Sequence, residues 1–173
     1  MMKSRALMTM IFGVVFCILA PRVARAQAMP LPYGQMSVET ARKIAAGALA
    51  EGKKNGWFVA VAIVDTAGDL VFFERMDNAQ SGSVIVAQEK ARTAARFKRP
   101  SKSFEEALSG GRQAILGLPG VTPVEGGIPV VIDGKIVGGV GVSGATSPQD
   151  AQCSQAGLDT LGGKPPAPPA PKK

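Results

Sequence analysis

Gly139, Gly141 and Gly144 stand at G-x-G-x-x-G spacing, after a run of strand-forming residues and before a helix signal, with Asp159 beyond them. In a dinucleotide-binding unit such glycines bring the backbone to a pyrophosphate, and an acid about twenty residues on holds a ribose. The surrounding chain does not support that chemistry. The residues before the glycines form the second arm of an Asp133-Gly134 hairpin, and the following helix runs into proline-rich sequence instead of a second parallel strand. Two roles remain open: backbone that lets a ligand come close, beside helix amides that favour an anion, or glycines that let a sheet pack tightly.

Histidine is absent from all 173 residues. That excludes Ser-His-Asp and Cys-His catalysis, His-ligated zinc and a proximal-His haem. A metal ligand would have to be a carboxylate, Met76, Cys153, Tyr33, a lysine or a hydroxyl, and Cys153 reads as a buried helix residue. Polar groups gather where strands end or a helix starts: Asp65, Glu74, Arg75, Asp77, Glu89, Lys90, Arg92 and Thr93. Glu89 and Thr93 are four apart and share a helical face. No pair among them has a spacing that requires two-carboxylate acid–base work.

The elements that must position these groups follow from periodicity and turn chemistry. Ser37 caps a helix with apolar positions Val38, Ala41, Ile44, Ala48 and Leu49, ended by Gly52 to Gly56. Phe58 to Val64 and Leu70 to Glu74 flank the turn Asp65–Asp69 and form a hairpin. Ser83 to Lys98 is an alanine-rich helix stopped before Pro100, and Ser103 with Glu106 predicts a capping box for a short one. Residues 110–127 read as a long Gly- and Pro-rich loop, of the kind that is often functional. Ile128–Ile132 and Lys135–Val142 flank Asp133-Gly134, a type I′ pair. Ser147 caps the last helix, with Pro148 at its first position and Asp150 in its first turn. Two hairpins separated by helices predict an α/β domain of the α+β kind, with an antiparallel sheet.

The ends bound the rest. Lys3 and Arg5, the apolar run from Ala6 to Ala20 and Ala24-Arg25-Ala26 predict a cleavable signal peptide over residues 1–26, too short to stay as a membrane anchor. Residues 27–35 read as a linker, 36–161 as one domain and 162–173 as a proline-rich tail without a fold. Loss of Lys3, Arg5, Arg22 and Arg25 lowers the net charge from +7 to +3, since 7 − 4 = 3 and the leader has no acid. The remaining basic cluster, Arg92, Arg96, Lys98, Arg99 and Lys102, reads as a solvated helix face and not a nucleic-acid stripe. Cleavage also removes Cys17, so Cys153 has no intramolecular disulfide partner.

Three strings together resemble the GlcG/HbpS family, also called the haem-degrading domain family and similar to the PduO C-terminal domain. They are Lys90-Ala-Arg-Thr93-Ala, Pro119-Gly-Val-Thr-Pro-Val-Glu-Gly-Gly-Ile-Pro129 and Asp133-Gly-Lys-Ile-Val-Gly-Gly-Val-Gly-Val-Ser-Gly144. The resemblance covers about residues 36–161. It implies a profilin-like antiparallel sheet flanked by helices, homo-oligomers with octamers among them, and for HbpS-like members a secreted, haem-binding role in iron handling or redox sensing. Export of this chain, to the periplasm or beyond, agrees with that branch. In the family's K-A-x-T-A motif the threonine is associated with haem, which maps onto Thr93. The site this implies puts haem against the second helix, with Lys90, Arg92 or Arg96 at the propionates and Met76 nearby; guanidinium and ammonium groups suit carboxylates. Haem degradation is implied by the family alone.

A second reading is a small-carboxylate site. Likeness to GlcG-type members and the loop glycines suggest that the amides of Gly126-Gly127 and Ser143-Gly144 cradle a hydroxy acid such as glycolate, with Glu125 or Asp65 as acid or base. A third is an oligomeric scaffold without a ligand of its own.

Overall fold

Helix α1, Val38–Asn55, begins where the Ser37 hydroxyl accepts the Thr40 N–H at 3.0 Å and ends at Gly56, whose φ of 72° turns the chain out of the helix. Gly52 does not end it; it sits inside the helix, buried against Trp57 and Val59. The computed structural model describes residues 35–162, so the expected leader, all but the last residue of the linker, and the tail beyond Gly162 lie outside it.

Strands β1 (Ala60–Asp65) and β2 (Leu70–Arg75) form the first hairpin, and β3 (Gly127–Ile132) and β4 (Lys135–Ser143) the second. Asp133 and Gly134 have φ of 50° and 74°, as a type I′ turn requires. The strand order is β2-β1-β4-β3 and every pairing is antiparallel. No two neighbouring strands pair in parallel, so the dinucleotide-binding topology is absent from the described residues.

Alternation along the strands divides the core in two. Val59, Val61, Ile63, Val140 and Val142 face Ile44 and Ala48 of α1 and Cys153 and Leu158 of α4 (Ser147–Asp159). Ala60, Ala62 and Val64 face Ala87, Ala91 and Ala95 of α2 (Ser83–Phe97). β1 is thus buried on both faces, which explains its unbroken apolar run. A Cβ on Gly139 would lie 2.4 Å from the Ala91 carbonyl oxygen, and one on Gly141 2.1 Å from that of Ala87. The two glycines therefore let the α2 backbone lie directly on β4. This is the packing role, and it accounts for the glycine motif without a nucleotide.

Two caps differ from expectation. Helix α3, Lys102–Ser109, has no Ser103–Glu106 capping box: Ser103 lies inside it and donates back to the Pro100 carbonyl at 2.8 Å. Helix α4 is capped by Thr146 in a capping box with Gln149, which moves Ser147 to the first helical position and Pro148 to the second. The long loop carries a 3-10 turn, Gln113–Gly117. None of the described helices is long and apolar enough to cross a membrane.

Candidate functional site

The side chains of α2 leave the helix in different directions, and this separates the sequence-predicted site residues. Lys90 points inward. It is 1% exposed, and its Nζ donates to Asp150 at 2.8 Å and to the Val142 carbonyl at 3.1 Å. Asp150, from the first turn of α4, also accepts the Ala145 and Gly144 amides. Burial pushes its carboxyl above the usual range, while the Lys90 ammonium and the two amides act in the opposite sense. Lys90 is therefore an internal tie between α2, β4 and α4, with no ammonium left for a propionate.

Thr93 is fully buried. Its hydroxyl accepts the Thr122 N–H at 2.9 Å and donates to the Gly120 carbonyl at 3.4 Å, so it holds the loop between α3 and β3 down on α2. Three more residues, Ser101, Lys102 and Glu105, fasten the same loop. Ser101 donates to the Val124 carbonyl at 2.6 Å and accepts the Gly127 N–H at 2.9 Å, and Glu105 accepts the Glu125 N–H at 2.5 Å. Lys102 meets the Glu125 carboxylate at 3.0 Å. Ser101 and Glu105 were not legible as site residues, because a serine and a glutamate around a helix start read as capping groups.

Arg92 and Arg96 reach the surface of the same face. Arg92 pairs with Glu89 and donates to the Gly68 carbonyl at 3.1 Å. Arg96 is exposed, donates through Nε to the Ala67 carbonyl at 2.7 Å, and lies between Gly68 and Gly120. Its two Nη groups have no bonded neighbour among the described residues. Leu116 and Leu118, 65% and 39% exposed, bring apolar surface to the loop that Thr93 holds. Met76 is not with them: it packs on the core between the sheet, α1 and α4, on the opposite face from α2.

The other glycine cluster is occupied by the chain itself. The Gly127 amide donates to Ser101, the Gly144 amide to Asp150, and Ser143 donates to Ser83 at 3.4 Å. Gly126, at φ 127°, has the Lys90 ammonium and the Val142 carbonyl 2.9 Å from where a Cβ would stand. Asp150 thus supplies the carboxylate for which the sequence suggested an external acid. Asp65 accepts the Ala67 and Asp69 amides at 2.9 Å and shapes its own turn. Among the described residues no group of three His, Cys, Asp or Glu could hold a metal ion.

For haem, the donor set divides. Arg96, with Arg92 beside it, and the exposed leucines suit the propionates and the ring. Thr93 does not suit iron, because it is fully buried under the loop that its hydroxyl holds through Thr122 and Gly120.

The family model described as haem degrading protein HbpS-like matches residues 36–159. Protein GlcG of Escherichia coli (strain K12) is 44% identical over 108 residues, covering 62% of this chain and 81% of that protein. HbpS of Streptomyces reticuli, solved as a double mutant, has 32% identity and a TM-score of 0.70, covering 83% of this chain and 98% of that one. A PduOC:haem complex has 25% identity and a TM-score of 0.67, covering 73% and 94%.

Proposed function

Because the chain belongs to the HbpS-like family of haem degrading proteins, we propose that it binds haem on the outer face of α2. The observation that carries the reading is the exposed Arg96 guanidinium beside the loop fastened by Thr93, in a chain similar to a protein solved with haem. Arg96, with Arg92 next to it, takes the propionates, and Leu116 and Leu118 cover part of the ring. Bound haem would supply iron and its redox chemistry. The chain's own residues bind the carboxylate edge and fix the loop, and Thr93 acts by positioning that loop. Such an exposed site gives modest affinity, since surface ion pairs contribute about 0–1 kcal/mol each. We place the protein after export, on the strength of its N-terminal charge and hydropathy order, and in a homo-oligomer, as the family resemblance implies.

The test is titration of haemin into the purified protein, followed at the Soret band, with a thermal-shift screen of small hydroxy acids alongside. A saturable Soret change without stabilisation by the acids is expected. Stabilisation by glycolate with no Soret change would replace this reading with the small-acid one.

A further inference from the structure

A cleft of about 410 Å³ lies at the start of α4, apart from the α2 face. Trp57, Phe58, Asn78, Gln80, Thr146 and Gln149 line it. Phe58 is 49% exposed, which leaves much of a large apolar ring in water. Trp57 is half-buried, its backbone fixed by an N–H bond to the Gly52 carbonyl at 2.8 Å. Around these rings stand side-chain amides. Gln149 accepts the Thr146 N–H through Oε1, which leaves its Nε2 donor for another carbonyl.

Aromatic rings bordered by amide donors suit one kind of peptide well. A polyproline II chain has no internal hydrogen bonds, so its carbonyls accept from such donors while its rings pack on aromatic faces. This chain contains a matching segment. Pro165, Pro168 and Pro171 recur every three residues between Lys164 and Lys172-Lys173. With three residues per turn they would share one ridge of a polyproline II helix.

We propose that residues 164–173 dock in the Trp57–Phe58 cleft of their own chain. The reach is sufficient. Helix α4 starts at the cleft and its 13 residues carry the chain roughly 20 Å away. Ten residues of polyproline II then span about 31 Å, enough to return along α4 to the cleft.

Trp57 is the only tryptophan in the sequence, so its fluorescence reports the cleft directly. The full chain is compared with one shortened after Gly163, with Phe58→Ala made in both. Shortening is expected to shift the Trp57 emission to the red and to raise its quenching by iodide. A synthetic peptide of residues 164–173, added in excess, is expected to reverse both changes saturably, and Phe58→Ala to abolish the difference between the two chains. Identical emission and quenching in the full and shortened chains would overturn the proposal, as would a shift that the peptide cannot reverse. A difference that grows with protein concentration would assign the segment to a neighbouring copy and overturn docking within one chain.

Discussion

Replacing Lys90 by methionine removes one partner of the most deeply buried ion pair described here and leaves the Asp150 carboxylate 3% exposed. Loss of one member of a buried pair costs about 3–5 kcal/mol, because the remaining charge has neither water nor a counter-ion. The Ala145 and Gly144 amides still hold Asp150, which places the cost toward the lower end, about 3 kcal/mol. For a domain of this size that lowers the melting temperature by roughly 10 °C. The penalty also depends on pH. Without Lys90 the folded-state pKa of Asp150 rises further above its unfolded value. The folded state then binds the proton more tightly, and stability falls as pH rises between the two values. Urea denaturation should therefore show a smaller loss for Lys90→Met near pH 5 than near pH 8. Asp150→Asn in the Lys90→Met background removes the stranded charge while keeping an acceptor for the amides, so the double variant should regain part of the loss. A single variant within about 1 kcal/mol of the parent at both pH values would refute the buried tie, since that cost is typical of an exposed pair.

Thr93→Val leaves the Gly120 carbonyl and the Thr122 amide without their hydroxyl and should cost about 1–3 kcal/mol. Hydrogen exchange at the Thr122 amide should accelerate in that variant and stay slow in Thr93→Ser; unchanged exchange would contradict the latch. Gly141→Ala puts a methyl against the α2 backbone and should destabilise by about 3 kcal/mol or prevent folding, measurable by thermal melting. Burial pushes the Cys153 thiol up to about 11 from an ordinary value of 9.0. Between these values the unfolded chain loses a proton that the folded chain keeps, so stability should fall with rising pH by up to about 1.4 kcal/mol per unit. Cys153→Ala should be less stable at neutral pH but show a flatter alkaline limb, as read by denaturation at several pH values.

The antiparallel sheet was legible because each strand carries its own turn chemistry, Asp65 to Asp69 in one hairpin and Asp133-Gly134 in the other. Helix α2 was legible as a helix, but not the direction of each side chain along it. Lys90, Arg92, Thr93 and Arg96 are near neighbours in sequence, yet Lys90 is buried on Asp150, Thr93 lies under a loop and Arg96 is exposed. That division depends on the helix's rotation over β4, set by contacts at Gly139 and Gly141 far along the chain. Asp150 illustrates the same limit. In the first turn of a helix it reads as an acid favourable to the helix dipole, and its actual counter-ion is 60 residues away. Met76 ends the first hairpin, and sequence order alone did not reveal which face of the sheet it joins.

The most direct test of the haem reading is the haemin affinity of the protein beside that of Arg92→Ala/Arg96→Ala, determined from Soret titrations at low salt. Two exposed ion pairs contribute up to about 1 kcal/mol each, so the double variant should bind roughly tenfold more weakly. Equal affinities in the two proteins would contradict a site on the outer face of α2.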